Sequence, residues 1–455
     1  MDFKFQDAKH IHFVGIGGSG MSPLAEILYG KGYKITGSDR SESDNVDRLR
    51  RLGIDVKIPQ MAENVEGADL IVYTAAVHAD NPEMIAANEK QIPILERAKL
   101  LGQLTATYPQ TIAVAGTHGK TTTTSMLSQV FLEADTDPAL FIGGRLPLID
   151  AFGKSGAGDV MVCEACEFMD HYLEMTPETA IILNVDADHL DYFGTLENVI
   201  KSFHTFASKA TGYIIYNKSD KNSCKAVEGL KNAPLISYGL TDDCDWTAKN
   251  VKIHDGSYAT FEAWHNGAFF ADIELGVPGM HNVQNALSVL AAAYAHGLNA
   301  VQIATGIKHF QGAGRRFEFL GTFGGITIAD DYAHHPTEIT ATLTTAKAMP
   351  YNRVIAIFQP FTFSRTARHL DDFAKALSIA DIAIVSDILG SRETNEWNVH
   401  SEQITAKMEN GVYLADFPAV ANYVLDEAKE GDLVITMGGG DVYKCARLIS
   451  KMLNS

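Results

Sequence analysis

Short apolar runs alternate with helical patterns along most of the chain, and this alternation is the strongest constraint on its fold. Runs typical of strands lie at residues 12–14, 34–36 and 70–73, with amphipathic segments between them. A strand, a helix and a second strand in this order predict a right-handed crossover, which makes the two strands parallel. We therefore predict an α/β protein built on parallel sheets.

The length and two breaks in this pattern predict three domains. A chain of 455 residues is long enough for about three domains of ordinary size. Residues 105–110 interrupt the alternation, and it returns after Phe317. Between residues 237 and 277 the dipeptides Asp255-Gly256 and Asn266-Gly267 favour tight hairpins, so we predict an antiparallel meander there. The expected boundaries are 1–107, 108–314 and 315–455, with Rossmann-like first and third domains.

Composition excludes several classes of protein. The net charge of −19 argues against a non-specific binder of nucleic acid or of anionic membranes. No apolar stretch is long enough to span a bilayer, and the first 15 residues lack the pattern of a signal peptide. Five scattered cysteines do not form a disulfide framework. We expect a cytoplasmic protein without membrane insertion.

A glycine-rich turn follows the first predicted strand. Its residues are Gly15-Ile16-Gly17-Gly18-Ser19-Gly20, and a helical pattern begins directly after them. Glycines let a backbone approach a pyrophosphate, and the start of a helix offers unpaired N–H groups. Asp39 ends the next strand, where a carboxylate would accept from ribose hydroxyls. The alternative is a turn that serves only the packing of helix on strand.

A second loop, Gly116-Thr117-His118-Gly119-Lys120-Thr121-Thr122, also joins a predicted strand to a helix. Backbone N–H groups of such a loop surround phosphate oxygens, Lys120 would reach the terminal phosphates, and Thr121 would offer a hydroxyl to Mg²⁺. The general pattern has glycine at the position of Val114, so this loop is a shorter variant. A purely structural turn is the alternative. We predict a P-loop ATPase-like central domain.

Candidate metal ligands follow two further strands of the central domain. Glu164 comes after residues 160–162 and His189 after residues 180–185, at the carboxyl ends where an α/β sheet binds ligands. Mg²⁺ prefers oxygen, so His189 is alternatively a packing residue. Cys163 and Cys166 have no second pair and are expected to be buried and inert. Rival carboxylates are Glu167, Asp186, Asp188 and Asp191.

Polar clusters outside the loop offer further candidates. Asn282 and Asn285 begin a helix, where they either cap it or pair with backbone; the alternative is that they recognise adenine. Of the pair Arg315-Arg316, one arginine at a hinge would stabilise a γ-phosphate; a solvated pair is the alternative. Arg365, with Arg368, lies after a strand and would bind a carboxylate through both guanidinium nitrogens.

Taken in order, these motifs resemble the Mur ligase family over essentially the whole chain. The resemblance runs through both glycine loops and the segment from Ala187 to Asp191. It continues through His281-Asn282 with Asn285, and Arg315-Arg316-Phe317-Glu318 before Asp330-Asp331. It ends with Phe358-Gln359-Pro360, Arg365-Thr366 and Met437-Gly438. The ordered set is far more specific than any single motif.

The resemblance implies an ATP-dependent ligase with Mg²⁺ as a further cofactor. UDP-N-acetylmuramate and L-alanine are the implied substrates, without nucleic acid, for a monomer or a weak homodimer. A carboxylate would attack the γ-phosphate of ATP, and an amine would then attack the acyl phosphate.

The resemblance also assigns residues to each ligand. The implied UDP site is Gly15, Gly17, Gly18, Ser19, Gly20, Ser38 and Asp39. The implied ATP site is Gly116, Thr117, His118, Gly119, Lys120, Thr121, Thr122, Asn282, Asn285, Arg316 and Asp331. Thr121, Glu164 and His189 would hold metal, His334 and Arg365 the amino acid, and the implied catalytic residues are Lys120, Glu164, His189 and Arg316.

Some positions depart from the family pattern, and other functions stay open. Phe361 stands where many relatives have histidine, and Gly439 where alanine is commoner, which puts the amino-acid contacts in question. We assign no carbamylated lysine. The alternatives are a relative that adds another amino acid or a peptide, a nicotinamide oxidoreductase suggested by the first glycine turn, and a nucleotide-binding switch without synthetic chemistry.

Overall fold

The computed structural model describes residues 3–391 and 393–454, and of Asp191 and Asp255 it describes only the backbone. Asp191 as a rival ligand therefore lies outside the described side chains. The strands are β1 (His10–Val14), β2 (Lys34–Ser38), β3 (Asp55–Lys57), β4 (Leu70–Tyr73), β5 (Ile94–Glu96), β6 (Gln110–Ala115), β7 (Ala139–Leu146), β8 (Ala151–Lys154), β9 (Val160–Glu164), β10 (Thr179–Ile182), β11 (Tyr213–Asn217), β12 (Leu235–Gly239), β13 (Trp246–Ile253), β14 (Tyr258–His265), β15 (Ala268–Pro278), β16 (Glu318–Phe323), β17 (Ile326–Asp331), β18 (Val354–Phe358), β19 (Ile382–Val385), β20 (Gly411–Tyr413) and β21 (Leu433–Met437).

The helices alternate with these strands through most of the chain. They are α1 (Ser22–Gly30), α2 (Asp44–Arg51), α3 (Pro82–Glu89), α4 (Arg97–Thr105), α5 (Lys120–Glu133), α6 (Leu190–Phe193), α7 (Leu196–Ala207), α8 (Lys221–Val227), α9 (His281–Ala295), α10 (Ala300–His309), α11 (Pro336–Lys347), α12 (Phe363–Arg368), α13 (Leu370–Leu377), α14 (Glu402–Thr405), α15 (Phe417–Glu427) and α16 (Tyr443–Leu453).

The chain divides into two compact units, each described here by itself. The first comprises Met1–Lys249, Glu262–Ile273 and Gln284–Phe310. The second comprises Asn250–Phe261, Glu274–Val283 and Gln311–Ser455. The three predicted domain boundaries remain a prediction. None of the helices within the described residues combines the length and the apolar character needed to cross a bilayer.

The N-terminal sheet has the strand order β3-β2-β1-β4-β5, and every pair in it is parallel. The strand order reverses at β1, so the glycine-rich turn lies at the topological switch point, where α/β sheets bind ligands. Local capping explains the helix boundaries. The Ser43 side chain accepts from Val46 N at the start of α2, and Asn81 accepts from Glu83 N at the start of α3. The Rossmann-like prediction is confirmed.

The central sheet is mixed, with the order β15-β14-β13-β12-β11-β10-β6-β9-β7-β8. β6 lies between β10 and β9, and both pairs are parallel. The turns after β13 and β14 contain Gly256 and Gly267 at positive φ. The prediction of antiparallel pairing from residue 237 is wrong at its start, because Tyr238 and Gly239 pair in parallel with β13. The hairpin dipeptides lie only in the turns after β13 and β14. The alternation of residues before them therefore did not indicate the direction in which β12 pairs.

The C-terminal sheet belongs to the second unit and has the order β16-β17-β21-β18-β19-β20. β16 and β17 are antiparallel, and the remaining pairs are parallel. Apolar clusters cover both faces of the parallel strands, with Phe358 and Ile435 on one face and Ile357 and Val434 on the other. The predicted Rossmann-like architecture of this region is confirmed.

Gly102 lets α4 pack closely on the central part of the first unit. A Cβ added there would overlap the carbonyl group of Glu174. We expect Gly102→Ala to lower the free energy of unfolding by about 1–3 kcal/mol, because overpacking outweighs the roughly 1 kcal/mol by which alanine favours a helix. Urea unfolding measures the effect. Lys99→Ala, exposed on the same helix, should change stability little, and an equal loss in both variants would contradict the prediction.

Candidate functional site

The Gly116–Thr122 loop begins directly after β6, and α5 begins within it at Lys120. Gly119 lies at the N-cap with φ +84°, a left-handed conformation that favours glycine. Asn184, just beyond β10, holds the loop from the side. Its Oδ1 accepts from His118 N at 2.8 Å, and its Nδ2 donates to His118 O at 3.0 Å. Asp186 N donates to Thr117 Oγ1 at 2.9 Å. The segment that follows β10 therefore fixes the shape of the loop that follows β6.

Lys120 is largely buried within this loop and held by oxygen atoms. Its Nζ donates to Gly116 O at 2.5 Å, to Thr117 O at 3.0 Å and to Glu167 Oε1 at 3.1 Å. Burial opposes the charge, but the carboxylate of Glu167 and neighbouring negative groups outweigh it and raise the pKa of Lys120 well above its ordinary value. The lysine therefore stays charged, as a group that binds phosphate must.

Carboxylates lie beside this lysine. Glu164 ends β9, and its Oε2 accepts from Gly143 N at 3.0 Å; a Cβ at Gly143 would lie 2.5 Å from both carboxylate oxygens. Glu167 is 2% exposed, and no hydrogen bond from the described residues reaches its Oε2, which lies 3.0 Å from Lys120 Nζ. Oxygen donors of this kind suit Mg²⁺. With the buried Thr121 they fit a divalent cation, and Glu164 and Thr121 are two of the three predicted ligands.

His189 lies at a distinct turn of the same region. It caps α6 in a left-handed conformation with φ +53°, and its ring lies 4.9 Å from the ring of Phe168. Its Nε2 is 3.8 Å from Asp188 Oδ2. Its metal role remains a prediction. Cys163 is buried as predicted, whereas the prediction that Cys166 is buried is wrong: it is exposed in the loop that follows β9.

The two asparagines differ in their surroundings. A Cβ on Gly119 would lie 3.1 Å from Asn285 Oδ1, so Asn285 lies directly against the Gly116–Thr122 loop. The buried Asn282 donates from Nδ2 to Pro278 O at 2.7 Å, which agrees with the backbone-pairing alternative. Adenine recognition by either residue remains a prediction.

The first glycine turn is held by the strand beside it. Gly17 N donates to Asp39 Oδ2 at 2.9 Å, and Gly15 has φ +80°. Ser38 is fully buried, and its hydroxyl donates to Glu83 Oε2 at 2.5 Å. The carbonyl oxygen of Ser38 accepts from Gly15 N and Ile16 N, both at 2.9 Å. Asp39 and Ser38 therefore both support the turn, and their contacts with UDP remain predictions.

Both paired arginines lie beside Tyr332, each with its guanidinium 5.0 Å from the centre of the ring. Arg315 also donates to Asp330 Oδ2 at 2.9 Å and to the carbonyl oxygens of Gly440 and Gly438 at 3.0 and 2.8 Å. Arg315 therefore fixes the backbone of the loop that contains these two glycines. The contact of Arg316 with a phosphate remains a prediction.

Asp331 joins the segment that follows β17 to the segment that precedes β16. The carboxylate accepts from Phe317 N and Ala333 N, both at 2.7 Å. Burial raises the pKa of Asp331 to about 6, against the opposing effects of Arg316 and of these two N–H groups.

The predicted amino-acid residues follow strand ends of the C-terminal sheet. His334 Nδ1 lies 3.2 Å from Glu338 Oε2, and Arg365 lies on α12. An alanine Cβ at Gly439 would make ordinary contacts, 3.4 Å from His334 and 3.6 Å from Phe361, so this departure from the family pattern is sterically neutral. A Cβ at Gly440 would instead lie 2.5 Å from Gln359 Oε1.

Several supporting residues have no sequence motif of their own. Asn184 and Glu167 contact the loop, and Arg97 contacts the first glycine turn. Only Glu167, as a carboxylate after a strand, carried a signal, because its position in the sequence marks a ligand-binding edge. The others are contacts between distant parts of the chain.

Comparisons with known proteins agree with this arrangement. Three family models match in order: "Mur ligase family, catalytic domain" over residues 10–109, "Mur ligase middle domain" over 114–293, and "Mur ligase, glutamate ligase domain" over 315–440. The chain is 43% identical to a UDP-N-acetylmuramate–L-alanine ligase from Caldanaerobacter subterraneus, covering 98% of both chains. It is 44% identical to one from Agathobacter rectalis, covering 96% of this chain and 97% of that protein.

Solved structures show the same fold. The UDP-N-acetylmuramate–alanine ligase MurC from Thermotoga maritima matches with a TM-score of 0.83 at 28% identity, over 98% of this chain and 99% of that one. A murein peptide ligase from Psychrobacter arcticus matches with a TM-score of 0.76 at 26% identity, over 98% and 99%.

Replacing Asn184 tests whether it shapes the phosphate-binding loop. We expect Asn184→Ala to weaken nucleotide binding about tenfold, because the backbone of His118 loses two hydrogen bonds. Titration with ATP measures this. Asn88→Ala, at an exposed position of α3, should leave the affinity unchanged. Equal ATP affinity in wild type and Asn184→Ala would refute the role.

Asp331 should make stability depend on pH. The raised pKa means that its protonated form contributes stability below pH about 4, and that this contribution is lost as the pH rises through about 6. The stability advantage of wild type over Asp331→Asn should therefore shrink between pH 4 and pH 7. Thermal unfolding across this range measures the difference, and a constant difference would contradict the expectation.

Proposed function

Because the chain belongs to the Mur ligase family, we propose that it joins L-alanine to the carboxylate of UDP-N-acetylmuramate, with ATP as the energy source, in peptidoglycan precursor synthesis. The loop after β6 carries this proposal: it holds a charged, buried lysine beside two strand-end carboxylates, as phosphoryl transfer requires. The proposed substrates are those in the names of the full-length relatives. We expect the protein to act in the cytoplasm, and we expect it to be a monomer or a weak homodimer.

The residues of the central domain activate the carboxylate. Lys120 would exchange its bonds to Gly116 O and Thr117 O for oxygens of the transferred phosphate. Mg²⁺, when bound, supplies further neutralisation of the phosphate charge. Thr121 and Glu164 would hold it, with His189 or Glu167 completing the protein ligands. Asn282 and Asn285 would contact the adenine.

The C-terminal residues complete the reaction. Asp331 fixes the backbone of Phe317 and Ala333. Arg316, beside Tyr332, would reach the ATP phosphates. Arg365 would bind the carboxylate of L-alanine through two N–H groups, and His334 would orient its amine. The acyl phosphate hydrolyses in water, so exclusion of water is part of the proposed mechanism.

A murein peptide ligase is the second candidate, because the Psychrobacter structure matches nearly as fully as the Thermotoga one. A similar structure from Neisseria is named for UDP-N-acetylmuramate and a tripeptide, L-alanyl-γ-D-glutamyl-meso-diaminopimelate. The two candidates therefore share an acceptor and differ in the amine that attacks it.

The deciding experiment supplies ATP, Mg²⁺ and UDP-N-acetylmuramate with either L-alanine or this tripeptide. We expect phosphate release and an amide product with L-alanine. Glycine, L-serine and D-alanine test the choice of amino acid. Turnover with the tripeptide alone would favour the second candidate, and no turnover with any amine would overturn the proposal. Omission of Mg²⁺ should abolish product.

Lys120→Ala tests the role of the loop in chemistry. We expect kcat to fall at least a hundredfold, because the charge that stabilises the transferred phosphate is lost, while UDP-N-acetylmuramate binds nearly as before. Coupled ADP release and a binding titration measure the two effects. Lys99→Ala, an exposed lysine of α4, serves as the control and should retain kcat. Unchanged turnover in Lys120→Ala would refute the assignment.

A further inference from the structure

Two adjacent amides of the first glycine turn have no protein partner within the described part of the chain. The N–H groups of Gly15, Ile16, Gly17 and Gly18 all donate to acceptors in or beside the turn. Among the described residues, no hydrogen bond is formed by the N–H groups of Ser19 and Gly20, directly before α1. Two such donors at the start of a helix are a site for an anion only if something else points to one.

Arg97 supplies that second observation. It is the first residue of α4, and its guanidinium packs against Gly20: a Cβ at Gly20 would lie 3.2 Å from Arg97 Cδ and 3.4 Å from Nη1. Within residues 3–391 and 393–454 it forms one hydrogen bond, from Nη2 to His171 Nδ1 at 3.3 Å. The other N–H groups of the Arg97 guanidinium are not fully buried. The side chain therefore has several donors to offer beside the two amides.

A relay of contacts holds this guanidinium in place. Arginine only donates, so His171 Nδ1 must accept, and the proton of the neutral ring resides on Nε2. That atom lies 3.1 Å from Glu96 Oε1, which accepts from it. Glu96, His171 and Arg97 thus form a chain in which each member orients the next.

The segment that carries His171 has an unusual backbone. Met169 and Asp170 adopt left-handed conformations with φ +54° and +58°. The Asp170 carboxylate accepts from Tyr192 OH at 2.9 Å and also from Ser202, which anchors the reversal. Left-handed residues cost about 1–3 kcal/mol each, and such strain is concentrated at functional sites. Here the reversal brings His171 to Arg97.

We propose that Arg97 binds the diphosphate of the UDP-sugar together with the Ser19 and Gly20 amides, and that His171 is its positioning residue. The inference rests on the proposed function and adds the cation that the glycine turn itself lacks. A guanidinium presents parallel N–H groups that match phosphate oxygens. In a chain of net charge −19, a diphosphate needs such a local cation.

The test compares ligands that differ in phosphate. Wild-type protein is titrated with uridine, UMP and UDP, and the ratio of UDP affinity to uridine affinity is measured. We expect Arg97→Gln to lower this ratio ten- to a hundredfold while uridine affinity stays unchanged. Arg51→Gln removes the same charge from an exposed position of α2 and should leave the ratio unchanged.

Two further variants keep the test valid if Arg97→Gln folds poorly. Gly20→Ala should displace the guanidinium and lower the ratio of UDP affinity to uridine affinity, because the added Cβ would lie 3.2 Å from Arg97 Cδ. The backbone of Gly20 has no positive φ, so alanine would not strain it. His171→Gln can still accept from Arg97 and should retain the ratio, whereas His171→Leu cannot and should lower it. In the ligase reaction, both Arg97→Gln and His171→Leu should raise KM for the UDP substrate more than they lower kcat.

The outcomes separate the inference from its premise. An unchanged UDP-to-uridine ratio in Arg97→Gln would overturn the role of Arg97, and equal effects of His171→Gln and His171→Leu would overturn the positioning role. A wild-type protein that binds neither UDP nor UDP-N-acetylmuramate would show that the proposed function itself is wrong.

Discussion

The buried charge of Lys120 is the constraint on which the central site depends. A cation removed from water is tolerated only where oxygen atoms replace its hydration, and here two loop carbonyls and Glu167 do so. These partners require the loop to turn back on itself, which in turn requires glycine at Gly119. Phosphate oxygens could replace these protein oxygens, which supports the proposal that Lys120 binds a phosphate.

Much of the fold was predictable because its signals are local. Helical segments between the first strands were predicted, and α2 and α3 begin where the Ser43 and Asn81 side chains cap them. The two glycine loops were found for the same reason: each needs particular residues within one turn of chain. The parallel pairing of β12 with β13 was missed, because pairing direction depends on the path between strands and not on the alternation within them.

The partners of the site residues were not predictable, because they come from distant segments. Asn184 meets His118 across 66 positions, and His171 meets Arg97 across 74. Asparagine and histidine in such places look like any polar residue of a loop, since their spacing to the contact has no period. Resemblance to a family indicates which residues occupy a site; it does not indicate which others hold them there.

Adjacent residues of the same kind show why this distinction matters for mechanism. Arg315 and Arg316 are equivalent in the sequence, yet Arg315 bonds to Asp330 and to two glycine carbonyls that shape the C-terminal loop. If Arg315 moved away, the buried Asp330 carboxylate and Gly438 carbonyl would each lose this hydrogen bond, and a buried polar group left unsatisfied costs about 1–3 kcal/mol. Because Arg315 is committed to these acceptors, we assign the predicted γ-phosphate contact to Arg316, and that contact stays a prediction.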